Sequence, residues 1–168
     1  MWVLVLALLC GATDDAAADA NAPRPAARRF DPDVRQARLF DSMMKRADPV
    51  ALDVVLSRVA GGLPPRSLEA FVDNARTYPR DEYAPALRRY ARYRKTTIRA
   101  RAIVALAAID RAHGAEAALL AMDDPSHDIR LLGVDLARTF TAPNVEEALM
   151  RLLARDEAVA KVVRQGRR

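Results

Sequence analysis

Residues Asp124 to Leu136 read DPSHDIRLLGVDL. Asp124-Pro125-Ser126 interrupts the chain. An aspartate here can cap the free N–H groups of a following helix, and the proline stiffens the turn. Beyond it, Ile129, Leu132, Gly133 and Leu136 fall at i, i+3, i+4 and i+7, the stripe of an amphipathic helix. The stretch predicts a turn, then a helix with one face turned to a core.

The same stripe recurs on both sides. Leu68/Phe71/Val72/Ala75, Ile98/Ala102/Ala105/Leu106 and Val159/Val162/Val163 belong with Ile129, their starts 30, 31 and 30 residues apart. Val34/Ala37 fits an earlier member, and the Ile98 helix fits the template least well. A second series lies between them: Leu52/Val55/Leu56/Val59, Tyr83/Ala86/Leu87/Tyr90, Ala115/Ala118/Leu119/Met122 and Val145/Ala148/Leu149/Leu152, at intervals of 31, 32 and 30. Breaks fall between the stripes at Asp48-Pro49, Gly61-Gly62-Leu63-Pro64-Pro65, Tyr78-Pro79 and Ala142-Pro143-Asn144. His113-Gly114 reads as a further helix end with Gly in the left-handed cap, and Asn144 as the cap of the Val145 helix. Helix hairpins of about 30 residues follow; each buries its stripe by stacking on its neighbours.

Asp31-Pro32-Asp33-Val34-Arg35-Gln36-Ala37, the Asp124 stretch, and Thr97-Ile98-Arg99-Ala100-Arg101-Ala102 resemble the start of a HEAT repeat's first helix, with Asp-Pro in the turn and an apolar residue followed by Arg. The resemblance spans roughly residues 31 to 165; the Leu68 and Val159 helices lack the Arg. It implies an all-α, right-handed α-solenoid of stacked antiparallel helix hairpins, HEAT-like or armadillo-type. Residues 31–168 would hold about four helix pairs and a terminal helix. The resemblance also implies that Arg35, Arg99 and Arg130 link turn to turn, and that the second helix of each pair lines the concave face.

The 168 residues carry a formal charge of +5, with Arg supplying 24 of the 27 basic residues. That bias, with abundant Ala and Pro, is what a GC-rich genome produces, so it is no evidence for guanidinium chemistry. Between Glu82 and Asp110 no acidic residue occurs. On helical spacing, Arg88, Arg92 and Lys95 share one side of the Tyr83 helix, and with Arg89 they are the candidate partner-binding residues. Tyr90 reads as core. Asp123, Asp124, His127 and Asp128 are ligand types for a metal, though as a capped turn they need none, and their spacing matches no calcium loop. The sequence holds no G-x-S-x-G, G-x-G-x-x-G or P-loop. The expectation is a non-enzyme without cofactor.

Trp2 to Leu9 (WVLVLALL) is an apolar run shorter than the ~20 residues that span a bilayer but long enough for a signal's hydrophobic region. No basic residue precedes it. Cys10 follows directly, which resembles a bacterial lipoprotein signal and makes Cys10 the candidate lipidation site, although Leu9 stands where that pattern wants a small residue. Ala16 to Ala20 offers an alternative cleavage site. Residues 1–20 are therefore expected to be a signal segment and 21–30 a flexible linker, poor in large apolar residues.

Together these readings lead to the expectation of an exported, periplasmic or membrane-anchored scaffold that binds a protein partner, with membrane association through the N-terminal segment. The alternatives are a cytoplasmic HEAT-like groove binding nucleic acid and an accessory subunit of a HEAT-like lyase.

Overall fold

Aspartate and proline set where most helices begin. The computed structural model describes residues 31–46 and 48–166, and Asp31–Arg168 forms a unit of its own. The expected signal segment, linker and Cys10 lie outside the described residues. Helix α1 (Pro32–Arg46) starts where Asp31 accepts the Asp33 amide at 3.0 Å, and α2 (Pro49–Gly61) where Asp48 accepts the Val50 amide at 2.9 Å. Pro49 and Pro65 occupy first-turn positions, where no intrahelical N–H is required. Gly62, at φ +91°, ends α2 in a conformation that side chains rarely adopt. Then come α3 (Pro65–Thr77), a 3-10 turn at Asp81–Tyr83, α4 (Ala84–Tyr90), α5 (Thr96–Ala107), α6 (Arg111–Met122), α7 (His127–Thr139), α8 (Pro143–Arg155) and α9 (Glu157–Gln165).

Two expected helix ends differ. His113-Gly114 lies in the first turn of α6, not at a C-terminus; Asp110 is the cap and accepts the His113 amide at 2.8 Å. Gly114 is there for packing: a Cβ would meet the Phe140 ring at 2.3 Å. At α8 the cap position belongs to Ala142, and Asn144 sits inside the first turn behind Pro143.

Among the described residues the protein is all-α, with nine helices that pack in chain order. The odd-numbered helices contact in succession, α1 on α3, α3 on α5, α5 on α7 and α7 on α9. Helix α6 packs on α5, α7 and α8, and α4 packs on α5. The stripes become the core: Leu68, Phe71, Val72 and Ala75 of α3 are all buried, as are Ile98, Ala102, Ala105 and Leu106 of α5. Each large apolar side chain so buried contributes about 1.5–3 kcal/mol. Helix α5 fitted the stripe poorly because it meets α3, α4, α6 and α7; Ile103 and Ala107 are buried as well. At the far end Val162 stays exposed, since α9 packs only its inner side against α7 and α8.

Phe71 lies edge-on to Tyr83 and Tyr90, with ring centroids 5.6 and 6.1 Å away. Tyr90 is therefore core, as its position in the stripe suggested. Between α6 and α7 the packing relies on small residues: Ala117, Ala118 and Ala121 are buried, and Gly133 lies against the α6 backbone. No helix among the described residues is long and apolar enough to cross a membrane.

Candidate functional site

The turns that lead into α5, α7 and α9 share one construction. Arg99, one residue after Ile98, donates from Nε and Nη2 to both carboxylate oxygens of Asp124 at 2.8 and 2.9 Å. Its Nη1 donates to the carbonyls of Tyr93 and Arg94, in the turn before its own helix. Asp124 also accepts the Ser126 amide at 2.7 Å, which shapes the entry to α7. Arg130 repeats the arrangement one step on. It donates to Asp156 at 2.7 Å and to the carbonyls of Asp124 and Pro125, while Asp156 accepts the Val159 amide at the start of α9. The Val159 amide and then Arg130 hold the Asp156 carboxyl below the usual carboxylate range, against the opposing effect of burial. Arg99 and Arg130 thus tie each turn to the next. Arg35 is exposed on α1.

The turn before α5 carries the same link with its charges exchanged. Glu69 follows Leu68 as Arg99 follows Ile98, and it accepts Lys95 Nζ at 2.8 Å. The missing Arg of the Leu68 helix is therefore replaced by an acid, with a base where the other turns hold Asp. Lys95 lowers the Glu69 carboxyl. The sequence carried a signal for this: Glu69 and Lys95 are 26 positions apart, as are Arg130 and Asp156. Glu69→Lys alone is expected to lower unfolding free energy by about 0.5–1 kcal/mol, the scale of an exposed pair. Adding Lys95→Glu should recover most of it in urea titrations. No recovery in the double variant would mean that the two residues act independently.

At the first step the partner is a carboxylate of α1. Asp33 accepts the Arg66 and Ser67 amides at 3.0 and 2.8 Å, together with the Ser67 hydroxyl. Burial pushes this carboxyl up, but those donors outweigh it and leave it below its ordinary value.

The expected basic strip is reorganised. Helix α4 stops at Tyr90, so Arg92 and Lys95 lie in the following turn and do not share a helix side with Arg88. Arg88 donates to both oxygens of Glu116 on α6 at 2.6 and 2.8 Å, and this pair lowers the Glu116 carboxyl. Arg89 donates to the Val59 carbonyl and the Tyr90 hydroxyl, with its guanidinium 4.9 Å from the Tyr90 ring centre. Arg101 pairs with Asp73 at 3.0 Å. Arg92 and Arg94 are exposed, and their side chains make no ion pair among the described residues. A groove of about 430 Å³ is lined by Arg92 and Arg94, by Leu119 and Leu120 of α6, and by Asp123, Asp124 and Pro125 of the next turn.

The suggested metal set does not assemble. Asp124 is taken by Arg99 and the Ser126 amide, and Asp123 pairs with Arg155 at 3.2 Å. A different trio gathers among the described residues: ligand-type atoms of Asp81, Asp110 and His113 lie within 4.8 Å of one another. Asp110 is already the α6 cap, accepting the His113 amide, and lies 2.9 Å from His113 Nδ1. That amide first, with the ring second to the opposing burial, keeps the Asp110 carboxyl low. Asp81 precedes Asp110 by 29 positions, so only the folding of successive helices brings them together. Comparison with known protein families, with curated proteins and with solved structures gave no match.

Proposed function

We propose that residues 31–168 form a short right-handed α-solenoid of the HEAT-like type and act as a non-catalytic scaffold of the cell envelope. In this reading the even-numbered helices α2, α4, α6 and α8 line the concave side, and a protein partner binds there. The N-terminal segment directs export or, through Cys10, tethers the chain to a membrane. One observation carries the reading: the Arg99–Asp124 and Arg130–Asp156 links recur 31 and 32 residues apart and join successive turns while the odd-numbered helices pack in order. Such local, repeated contacts are how stacked hairpins hold together. The quoted Asp-Pro and Ile-Arg motifs support it as a resemblance.

The internal pairing of Arg88, Lys95, Arg99 and Arg101 removes most of the charge a nucleic-acid groove would use, and Tyr90 is buried rather than offered for stacking.

The test is made in the native host. Mass spectrometry of the mature chain should show an acylated Cys10 or a start at Asn21; an intact Met1 would remove the envelope placement. A photo-cross-linker at Met150, exposed on α8, should capture a partner protein that one at Arg138, exposed on α7, does not. Capture from neither position, or from Arg138 alone, would overturn the scaffold reading.

A further inference from the structure

We propose that the groove between the α4–α5 turn and α6 is the docking point for an acidic segment of the partner: an extended peptide with carboxylates on either side of an apolar residue. The inference rests on the scaffold reading and sharpens it. It moves the contact from Arg88, Arg89 and Lys95, which the fold has engaged, to Arg92 and Arg94.

Four observations converge. Every other basic side chain from Arg88 to Arg101 is bound to an acid or, for Arg89, to a carbonyl and a hydroxyl, whereas the Arg92 and Arg94 guanidinium groups are exposed and make no ion pair among the described residues. The exchanged link at Glu69–Lys95 places bases in the turn where the next two hold Asp124 and Asp156. Among the described residues no side chain caps α5, whose N-terminus opens from that turn and adds partial positive charge. The groove itself is large enough for a side chain or two, with an apolar lining from Leu119 and Leu120.

The acid in the lining decides the class of partner. Asp123 is 83% exposed and holds Arg155 through one oxygen. It would repel a continuous phosphate chain but can accept N–H groups from a peptide backbone. An anionic lipid surface is too flat to reach the leucines. Carboxylates on the Arg92 and Arg94 side, an apolar residue on Leu119 and Leu120, and a backbone amide toward Asp123 satisfy all of these together. This is charge complementarity around a small apolar anchor.

Fluorescence anisotropy of the full chain with a labelled peptide of alternating Glu and Leu tests the proposal. The comparison probes are the same peptide with Gln for Glu, single-stranded DNA of about 20 nucleotides, and phosphatidylethanolamine vesicles with about one quarter phosphatidylglycerol. The Glu–Leu peptide should bind in a salt-sensitive way. The Arg92→Glu/Arg94→Glu variant should weaken it by about tenfold or more, and Arg88→Ala by less than about twofold. Unchanged binding in the double variant would overturn the proposal. So would equal binding of the Gln peptide, tighter binding of DNA or vesicles, or no binding of the Glu–Leu peptide to the wild type. Both substituted side chains are exposed and make no ion pair among the described residues, although the Arg92 charge also helps Arg88 to lower the Glu116 carboxyl, and an unchanged circular dichroism spectrum confirms that the fold persists. The host cross-linking separates the two readings. A partner captured equally by wild type and by the double variant would end the groove assignment and leave the scaffold standing; the absence of any partner would end the scaffold.

Discussion

Arg99→Ala is expected to lower the unfolding free energy by about 2–4 kcal/mol, far more than Arg88→Ala, although both arginines make two-point contacts with a carboxylate. The difference is burial. The Arg99 and Asp124 side chains are 11% and 4% exposed, whereas those of Arg88 and Glu116 are 44% and 34% exposed. Without Arg99, the Asp124 carboxylate keeps the Ser126 amide but loses its counter-charge, and the Tyr93 and Arg94 carbonyls lose a donor. Water reaches Glu116 and replaces Arg88 at little cost, so that variant should lose no more than about 1 kcal/mol. Urea unfolding of Arg99→Ala, Asp124→Ala and the double variant would measure the coupling, with the double loss well below the sum of the single losses. If Arg99→Ala and Arg88→Ala cost the same, the turn-to-turn link would be no more than a surface ion pair.

Gly133→Ala is expected to destabilise by about 2–3 kcal/mol, lowering the melting temperature by roughly 5–10 °C. The sign is the informative part. Inside an exposed helix the same change would stabilise, since alanine is favoured over glycine by about 1 kcal/mol. Here the added Cβ would stand 2.7 Å from the Met122 backbone nitrogen and 3.0 Å from the Ala121 carbonyl carbon. Backbone cannot turn aside, so α6 and α7 must separate. Gly114→Ala should also destabilise, by about 1–3 kcal/mol: its Cβ would stand 2.3 Å from Cδ1 and 2.6 Å from Cγ of Phe140, a ring packed on the core whose anchored end cannot turn aside without leaving its place. Thermal melts followed by circular dichroism decide both. A Gly133→Ala protein as stable as wild type would mean that the α6–α7 contact is looser than described.

How much was readable beforehand depended on whether a feature repeats. The apolar stripe of α3 was fully legible, and those of α5 and α7 in part, because apolar residues recur at helical spacing and then again about 30 positions later; Leu132 and Leu136 of α7 are only half-buried, while Val134 and Ala137 beside them are buried. Arg99 and Arg130 were legible through the Ile-Arg pair that the resemblance marked, and both link turn to turn. Features made by one contact between distant residues were not. The basic run looked like a continuous strip because the acids that bind it, Glu69, Asp73, Glu116 and Asp124, lie outside it on neighbouring elements. Gly114 looked like a helix end because the ring that needs its space belongs to Phe140, 26 residues later.

The sequence by itself determined that the chain folds as successive helices and where most of them begin, because periodicity, proline and capping aspartates act within a few residues of their own position; the buried face shifted on α6 and α7, where neighbouring helices also bury Ala117, Ala121, Val134 and Ala137. Tertiary structure alone decided which charges are free. An arginine's state depends on whether an acid from another helix comes within 4 Å, and that follows from how neighbouring helices stack rather than from anything along the chain. Arg92 and Arg94 emerge as the exposed pair for that reason, and the same stacking placed Gly133 against a backbone that leaves no room for a methyl group.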